Sequence, residues 1–312
     1  MERKALITGG AGFIGSKLAE KLLGEGWRVL VLDNLSTGFE SNVPKEAEFM
    51  RLDLSDKSFV NSLPKKGIDV VLHLAAQSSG EISFEKPAYD VQTNAMGTLL
   101  LLQWCKENGV PRFIYTSSMS IYGDDQELPV QETAFPKPMS LYGVGKLASE
   151  NYVRIYQNMG LETTTLRLFN VYGPGQNMEN LKQGMVSIFM AYIAKGEAIL
   201  VKGSRDRFRD FVFIDDVVDA IMRVADGPLS SGKIYNIGTK KKTYIWQLLD
   251  LIVEAFGYKT GEYPITFQGT TPGDQLGIYA DISKVSSELG WKPKVELSEG
   301  IKRMVTWIRA LK

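Results

Sequence analysis

The segment from residue 4 to residue 33, KALITGGAGFIGSKLAEKLLGEGWRVLVLD, determines the fold of this chain. It begins with a short apolar run, KALIT, that predicts a buried strand, and it continues as a helical pattern that ends at a glycine. A second apolar run, WRVLVLD, predicts another strand. Because a helix joins the two strands, the segment predicts a βαβ unit with parallel strands.

The turn between the first strand and the first helix is rich in glycine. Its sequence, TGGAGFIGS at residues 8–16, places Gly9, Gly12 and Gly15 in the pattern G-x-x-G-x-x-G. Glycine permits a tight turn and a close approach of the backbone to a pyrophosphate at the helix N-terminus. Asp33 ends the second strand at the spacing of a carboxylate that binds the adenosine ribose and repels a 2′-phosphate. The segment therefore predicts a dinucleotide site that prefers NAD to NADP, although an Asp that starts an ordinary turn explains Asp33 alone.

Apolar runs alternate with amphipathic helical patterns up to about residue 174. This alternation predicts an α/β fold, a Rossmann-type doubly wound parallel sheet. From residue 175 the pattern changes to a polar loop and shorter elements, which predicts a smaller C-terminal lobe that binds substrate. We expect an NAD-binding domain over residues 1–174 and a mainly substrate-binding lobe over residues 175–312. Residues 208–230 are expected to cross back to the first domain.

The composition of the chain is that of an ordinary globular protein and argues against a nucleic-acid-binding protein. Of its 312 residues, 44% are hydrophobic and 23% are charged, as in ordinary globular proteins. Lys+Arg and Asp+Glu both total 36, so the net charge is zero, unlike that of a nucleic-acid binder. Cys105 is the only cysteine, which excludes an internal disulfide and fits a reducing compartment. With no apolar run long enough to span a bilayer, the expected protein is cytoplasmic and binds neither nucleic acid nor a membrane.

A second motif, LYGVGK at residues 141–146, places Tyr142 four residues before Lys146. On a helix these side chains share a face. A nearby ammonium favours the charged form of a phenol, which would make Tyr142 a general base near neutral pH. Chance alignment on a surface helix explains the same spacing, so the context along the chain decides between the two interpretations.

That context is a series of motifs in a fixed order. They are TGGAGFIGS, DVVLHLAAQSS, NAMGT, IYTSSMSIYG, SLYGVGK, LRLFNVYGPGQ and RDFVFIDDVVDA. Together they resemble the extended short-chain dehydrogenase/reductases of the NAD-dependent nucleotide-sugar epimerase/dehydratase family, in particular its UDP-glucose 4-epimerase branch. The resemblance covers nearly the whole chain and implies an isomerase with NAD as its cofactor.

The resemblance implies catalytic and cofactor-binding roles for individual residues. Tyr142 matches the catalytic tyrosine, and Lys146 matches its partner, which also binds the nicotinamide ribose. Ser118 matches the catalytic hydroxyl that bonds the sugar 4-oxygen, and Asn94 matches an asparagine that supports the cofactor site. A buried helical amide is an equally good account of Asn94. The other cofactor contacts implied are Gly9, Gly12, Phe13, Ile14, Gly15, Asp33, Asn34, Ser36, Asp53, Leu54, Leu74, Ala75 and Ala76.

Asp53 and His73 also have structural explanations. Asp53 follows the third predicted strand, where an adenine amino group could be met, but helix capping explains it equally well. His73, the only histidine, lies on a predicted buried strand and is interpreted as structural rather than as a catalytic base. No metal is expected.

The family resemblance also implies contacts with a UDP-sugar. Asn170 and Arg209 match the residues that contact the substrate diphosphate, since a planar guanidinium suits phosphate. Arg205 and Arg207 either share this contact or are solvated. The other substrate contacts implied are Ser78, Ser118, Tyr142, Phe169 and Asp274.

One position departs from the family pattern. Thr271 in TTPGDQ replaces the arginine of R-P-G-D, which contacts a phosphate in the family, so Arg209 is expected to carry more of that contact. Ile278 is expected near the position that sets the size of the sugar pocket.

The reaction implied by the resemblance is epimerisation at C4 of UDP-glucose, UDP-galactose or a related UDP-sugar through a transient 4-keto intermediate. Dehydratase and decarboxylase activities are disfavoured, because Met119 and Ser120 stand where those enzymes carry acidic residues. The alternative that stays open is an NAD(P)-dependent nucleotide-sugar reductase/dehydratase or a UDP-glucuronate-type epimerase/decarboxylase. A non-catalytic nucleotide-binding protein is the alternative of a different class. The family further implies a homodimer through the NAMGT helix and the helix of Tyr142.

Overall fold

The computed structural model of the protein describes residues 3–227 and 231–311. Residues 228–230, the end of the segment expected to cross back, lie outside the described residues. The strands are β1 (Lys4–Thr8), β2 (Arg28–Asp33), β3 (Glu48–Arg51), β4 (Val70–His73), β5 (Arg112–Ser118), β6 (Glu162–Leu168), β7 (Asn170–Tyr172), β8 (Ile199–Lys202), β9 (Phe208–Arg209), β10 (Phe211–Phe213), β11 (Lys233–Ile237), β12 (Thr243–Tyr244) and β13 (Ile265–Gln268).

The helices are α1 (Phe13–Gly24), α2 (Gly80–Glu85), α3 (Pro87–Asp90), α4 (Gly97–Glu107), α5 (Leu141–Asn158), α6 (Met185–Lys195), α7 (Ile214–Asp226), α8 (Ile245–Phe256), α9 (Ser283–Leu289) and α10 (Leu297–Ala310). A π-helical turn, Val91–Met96, joins α3 to α4. Short 3₁₀ turns lie at Glu40–Asn42, Lys57–Ser62 and Met119–Ile121.

Seven of the described strands form one parallel sheet in the order β11-β6-β5-β4-β1-β2-β3. The strand order reverses between β1 and β4, which are neighbours in the sheet. In such sheets ligands bind at the carboxyl ends of the strands on either side of this point. The sheet confirms the predicted doubly wound fold and places the expected site at the ends of β1 and β4.

Helices cover both faces of the sheet. On one face, Ile7 of β1 packs in a cluster with Leu18 of α1 and Val217 of α7. On the other face, Leu6 packs in a cluster with Leu101 of α4 and Val153 of α5. Successive residues of a strand point to opposite faces, so the uninterrupted apolar run KALIT fits a strand that is buried on both sides.

Several segments do not form the single element that their local pattern suggests. The run ETTTLRLFNVYG is not one strand, because β7 leaves the central sheet after β6 and pairs with β10. The run FRDFVFIDD is likewise divided into β9, β10 and the start of α7. The segment SDKSFVNSLPK contains a 3₁₀ turn, Lys57–Ser62, rather than an α-helix.

The chain beyond residue 174 contributes to both parts of the molecule. β11 is the edge strand beside β6 in the central sheet, and α7 packs against α1. We propose the division into an NAD-binding part, residues 1–174 with a later return of the chain, and a mainly substrate-binding part over residues 175–312. The return extends beyond the expected segment 208–230, because β11 follows it.

Neither a membrane-spanning helix nor a metal-binding cluster occurs among the residues that the structure describes. No helix within residues 3–227 or 231–311 has the length and apolarity needed to cross a membrane. Across the same residues, no three His, Cys, Asp or Glu side chains come together in a group suited to holding a metal ion.

Candidate active site

A cleft of about 530 Å³ opens at the carboxyl ends of the central strands. Its wall includes the glycine turn after β1, the ends of β4 and β5, the start of α5 and segments from beyond residue 174. Every residue that the sequence suggested for the site lies on this wall except Asn94, Arg205 and Ile278. Residues about 260 positions apart in the chain therefore converge on one space.

The glycine turn forms a cradle without side chains at the end of β1. Gly9 has a φ of +73°, and its amide donates to the carbonyl oxygen of Leu32 at 2.7 Å. A Cβ atom on Gly15 would collide with the carbonyl oxygen of Gly9. Helix α1 begins at Phe13 with no side-chain cap, so its first amides face the cleft without a protein acceptor at the cap position. Amides of this kind bind phosphate.

Asp33 joins this turn to the end of β2. Its carboxylate is buried and accepts hydrogen bonds from the amides of Ala11 at 3.0 Å and Leu35 at 2.8 Å. Both contacts hold the carboxylate on the wall of the cleft, where it can also accept from ribose hydroxyls and repel a 2′-phosphate. The cradle, the free helix amides and this carboxylate fit NAD.

Asp53 accepts hydrogen bonds from two sides. Its Oδ1 accepts from the Ser55 amide at 2.8 Å, as a capping residue does, and its Oδ2 accepts from Asn34 Nδ2 at 3.0 Å. Both Asn34 and Asp53 also line the cleft. The capping and adenine-binding interpretations of Asp53 are therefore compatible in this structure.

His73 lies at the end of β4, behind the cleft. Its Nδ1 is 2.7 Å from Thr8 Oγ1, and its Nε2 is 2.8 Å from Thr98 Oγ1. The Thr98 hydroxyl donates to the Asn94 carbonyl, so it accepts from His73 Nε2–H, and Nδ1 accepts from Thr8. Burial, together with the charge of Lys146, lowers the pKa of His73 to about 3. His73 is therefore neutral and bonded on both sides, as a structural residue is.

Helix α5 positions the Tyr142 and Lys146 side chains. Ser140 caps it by accepting from the Gly143 amide at 3.1 Å, which places Tyr142 in the first turn. Ser118, at the end of β5, lines the cleft with Tyr142, and its hydroxyl is near enough to lower the pKa of the phenol. Lys146 Nζ donates to the Thr116 carbonyl at 2.9 Å and lies 6.0 Å from the centre of the Tyr142 ring. The end of β5 and helix α5 thus bring the three predicted catalytic residues together.

The pKa of Tyr142 differs from the sequence-based expectation. Burial raises the pKa of Tyr142 to about 12, against the lowering effect of the Ser118 hydrogen bond. Burial also lowers the pKa of Lys146 to about 8, against the charges of Asp90 and Glu150. The expectation that Lys146 alone acidifies Tyr142 was wrong, because the i,i+4 spacing does not reveal how deeply both groups are buried.

Asn94 lies behind the wall rather than on it. Its Oδ1 accepts from the Gln77 amide, and its Nδ2 donates to the Gln77 carbonyl, both at 2.9 Å. This pair of bonds fixes the segment after β4, which supplies Leu74, Ala75 and Ala76 to the cleft. Asn94 is thus placed to support the site without touching a ligand.

The far end of the cleft carries two buried arginines. Arg209 is 3% exposed and donates to Asp274 Oδ1 at 2.5 Å and to the Gln275 carbonyl at 2.7 Å. Arg207 is also buried, lines the cleft and pairs with the other oxygen of Asp274. Arg205 is exposed and lies off the wall. The alternative left open by the sequence is thus resolved: Arg207 belongs to the cleft and Arg205 does not.

The sequence also suggested Thr271 and Ile278 for this end of the cleft, and only Thr271 lines it. Thr271 lines the cleft, as its motif suggests. Ile278 does not, because it is fully buried in a cluster with Tyr122 and Phe169. Ile278 therefore lies behind the wall, packed with Phe169, which lines the cleft.

The polar loop before α6 contributes contacts that sequence reasoning missed. Gln183 Nε2 donates to Ser78 Oγ at 2.5 Å, and Ser79 Oγ donates to the Lys182 carbonyl at 2.9 Å. Lys182 also pairs with Glu85 at 2.6 Å. The loop therefore closes one side of the cleft over the end of β4; its only signal in the sequence is the polar run GQNMENLKQG.

Comparisons with known proteins agree with this geometry. The family model described as "NAD dependent epimerase/dehydratase family" matches residues 5–238. A protein of Methanocaldococcus jannaschii named putative UDP-glucose 4-epimerase is 37% identical over 306 residues, which cover 97% of this chain and 98% of that protein.

Two solved structures are similar over nearly the whole chain. The UDP-glucose 4-epimerase of Thermotoga maritima, solved with UDP-glucose, has a TM-score of 0.92 and 37% identity, covering 99% of each chain. The UDP-glucose 4-epimerase of Thermus thermophilus, in complex with NAD, has a TM-score of 0.90 and 36% identity, covering 99% of this chain and all of that one.

These findings confirm three predictions from the sequence: the Rossmann-type fold, an enzyme of the isomerase class and NAD as the cofactor. The similarity extends over nearly the whole chain rather than over the glycine turn alone. The chain belongs to the NAD dependent epimerase/dehydratase family.

Proposed function

We propose that this enzyme interconverts a UDP-hexose and its C4 epimer through a transient 4-keto sugar. The observation that carries the proposal is the convergence of Ser118, Tyr142 and Lys146 in one cleft with the cofactor cradle and the paired arginines. The similarity to UDP-glucose 4-epimerases adds independent support.

In this proposal Tyr142 is the base for the sugar 4-hydroxyl. Ser118, which lines the cleft with Tyr142, holds the 4-oxygen and assists the proton transfer. Lys146, held by the Thr116 carbonyl, keeps a positive charge near the phenol. Bound NAD supplies the reversible hydride transfer and, in its oxidised form, a positive charge that offsets the burial of a phenolate. Tyr142 returns its proton when the keto sugar is reduced.

Epimerisation requires the keto sugar to present its opposite face before it is reduced. A substrate held by its diphosphate alone can turn in this way, because the sugar then has few fixed contacts. Arg207 and Arg209 are the groups that bind the diphosphate in this proposal, since a planar guanidinium binds phosphate with two parallel hydrogen bonds. Phe169 and Met119 offer apolar surface on which a sugar ring can turn.

The charges of the cleft favour a neutral hexose over a glucuronate. The cations on its wall all have partners among the described residues: Lys146 bonds Thr116, Lys182 pairs with Glu85, Lys202 pairs with Glu81, and Arg207 and Arg209 pair with Asp274. The wall beside Ser118 is formed by Met119 and Ser120, which are uncharged. Neither Met119 nor Ser120 offers the cation that the C6 carboxylate of a glucuronate would need.

The test is incubation of the purified enzyme with UDP-glucose, UDP-galactose, their N-acetyl forms and UDP-glucuronate, one at a time. Products are separated as C4 epimers, and consumption of NAD(P)H is followed in parallel. Conversion of a neutral UDP-hexose without net NAD(P)H consumption supports the proposal. Stoichiometric consumption of NAD(P)H would support the reductase alternative, and release of CO₂ from UDP-glucuronate would support a decarboxylase.

Substitution of Arg207 by Gln tests the diphosphate contact. Hydrogen bonds to charged groups contribute about 1.5–3 kcal/mol, so the KM for the UDP-sugar should rise roughly 10- to 100-fold, with a smaller change in kcat. Initial rates against substrate concentration give both constants. Arg205→Gln removes the same charge from an exposed neighbour and should leave KM unchanged; an unchanged KM in Arg207→Gln would place the diphosphate elsewhere.

The assembly and location are part of the same proposal. We propose a homodimer through the outer faces of α4 and α5, because Val144, Ile155 and the nearby Met159 are each about half exposed there. Analytical ultracentrifugation of the purified protein tests whether it is a dimer. The cytoplasmic location stays a prediction from the single cysteine.

A further inference from the structure

Asp90 is a buried carboxylate that the mechanism above does not use. It ends α3 directly before the π-helical turn and has no exposed surface. Its Oδ2 accepts from Gln77 Nε2 at 2.7 Å and from Asn94 Nδ2 at 3.0 Å. Its Oδ1 is buried and has no hydrogen-bond partner among the residues that the structure describes. An ionised group in this position needs a nearby cation.

The nearest helix is α5, which approaches Asp90 at a glycine. A Cβ atom on Gly145 would lie 3.3 Å from Asp90 Oδ1 and 3.3 Å from Asn94 Cβ. The residue after Gly145 is Lys146, whose ammonium is within electrostatic range of Asp90. Gly145 therefore permits close packing of the Asp90 carboxylate against the turn of α5 that carries Lys146.

The other charged group near Lys146 is already neutralised. Glu150 lies one turn further along α5 and forms two hydrogen bonds with Arg167, at 3.0 and 2.8 Å, in a buried ion pair. His73 and the Tyr115 phenol, which also face Lys146, are uncharged near neutral pH. Asp90 is thus the carboxylate near Lys146 that lacks an arginine of its own.

We propose that Asp90 is a positioning residue that keeps Lys146 protonated during turnover and, through Gln77 and Asn94, fixes the cleft wall after β4. This role rests on the proposed epimerisation, in which Lys146 acts as a cation. Burial raises the pKa of Asp90, and its two amide donors and Lys146 act against that rise. The carboxylate in turn compensates the buried ammonium.

The direction of the expected pH effect follows from the charges. The Asp90 carboxylate raises the pKa of Lys146 against the lowering effect of burial, and it raises the pKa of Tyr142 in addition to the effect of burial. Removing its charge lowers both pKa values. In the NAD-bound enzyme, where the positive charge of the oxidised nicotinamide lowers the pKa of Tyr142, the acidic limb of the kcat profile reports protonation of Tyr142 and the alkaline limb reports loss of the Lys146 proton. Both limbs should therefore move to lower pH.

Asp90→Asn tests the proposal with little change in shape. The new amide oxygen can accept from Gln77 and Asn94, and its NH₂ takes the place of the unpartnered oxygen. We expect both limbs to move down by about one pH unit or more, so that kcat at the alkaline end falls roughly tenfold. A lower kcat with an unmoved profile would reduce Asp90 to a packing role and overturn the proposal.

A second measurement does not depend on turnover or on bound NAD. In cofactor-free protein labelled with ¹³C-lysine, the Lys146 Cε signal is assigned by its loss in Lys146→Met. We expect a pKa near 8 for Lys146, with a further inflection at acidic pH as Asp90 is protonated. In Asp90→Asn the Lys146 pKa should fall and the acidic inflection should vanish. A wild-type titration without the acidic inflection would contradict the proposal even if the variant did not fold.

Asp216→Asn is the matched control. Asp216 is also a buried carboxylate, which accepts from the amides of Lys294 and Val295 on the far side of the molecule from Lys146. This variant should lose stability but keep the wild-type pH profile. If the wild-type enzyme epimerises no UDP-sugar, the proposed function fails, whereas the lysine titration still decides whether Asp90 acts on Lys146.

Discussion

Tyr142→Phe is expected to lower kcat by about 10²–10⁴-fold, the range that a positioned general base contributes. The substitution removes the phenol hydroxyl from the cleft wall and leaves the aromatic ring in place. Steady-state rates with the preferred UDP-sugar measure the loss. NAD released from denatured protein, quantified by its absorbance, measures whether the cofactor site is intact.

The cofactor content should stay at the wild-type value, because the cradle after β1 and the Asp33 carboxylate do not depend on the phenol. Tyr152→Phe provides the control, since Tyr152 lies on the same helix but packs in the apolar cluster away from the cleft. Its kcat should be close to that of the wild type. Near-wild-type turnover in Tyr142→Phe would remove Tyr142 from the chemistry.

Arg167→Met should destabilise the fold by about 3–5 kcal/mol, the cost of leaving one partner of a buried ion pair uncompensated. Both side chains of the Arg167–Glu150 pair are 5% exposed. Arg167 also donates to the Tyr122 hydroxyl and to the Glu132 carbonyl, each at 2.8 Å. Removal of the guanidinium therefore leaves a buried carboxylate and two acceptors without their donor.

Urea denaturation of cofactor-free protein measures this loss as a lower midpoint. Arg303→Met is the comparison, because Arg303 pairs with Glu299 where both side chains are about half exposed, and such pairs contribute about 0–1 kcal/mol. The double variant Glu150→Leu with Arg167→Met should recover much of the loss, since it removes the uncompensated charge as well. A single variant within 1 kcal/mol of the wild type would mean that water reaches Glu150.

Local patterns were enough to predict the sheet and the cofactor cradle. Short apolar runs identified β1, β2 and β4, because nearly every residue of these strands is buried between the two faces of the sheet. The glycine turn and Asp33 were predictable because their function depends on backbone shape and on spacing along the chain. The catalytic residues were identified through the resemblance, and the structure brings them together.

Burial and charge compensation could not be predicted in the same way. The spacing of Tyr142 and Lys146 indicates a shared helix face, but not the burial that raises one pKa and lowers the other. Arg205 and Arg207 look alike in the sequence; only the path of the chain before β9 makes one exposed and the other buried. Asp90 was missed because its partners come from the end of β4 and from α5, which no local pattern connects.

The pairing of β11 with β6 has a consequence for synthesis of the chain. Residues 169–232 separate the two strands, so the ribosome adds 64 residues after β6 before its neighbour begins to emerge. At typical translation rates of about 5–20 residues per second, this interval lasts roughly 3–13 s. During that time β6 presents open backbone groups to other nascent chains. Its sequence, ETTTLRL, carries the charged residues Glu162 and Arg167, and charged side chains discourage intermolecular strand pairing until β11 arrives.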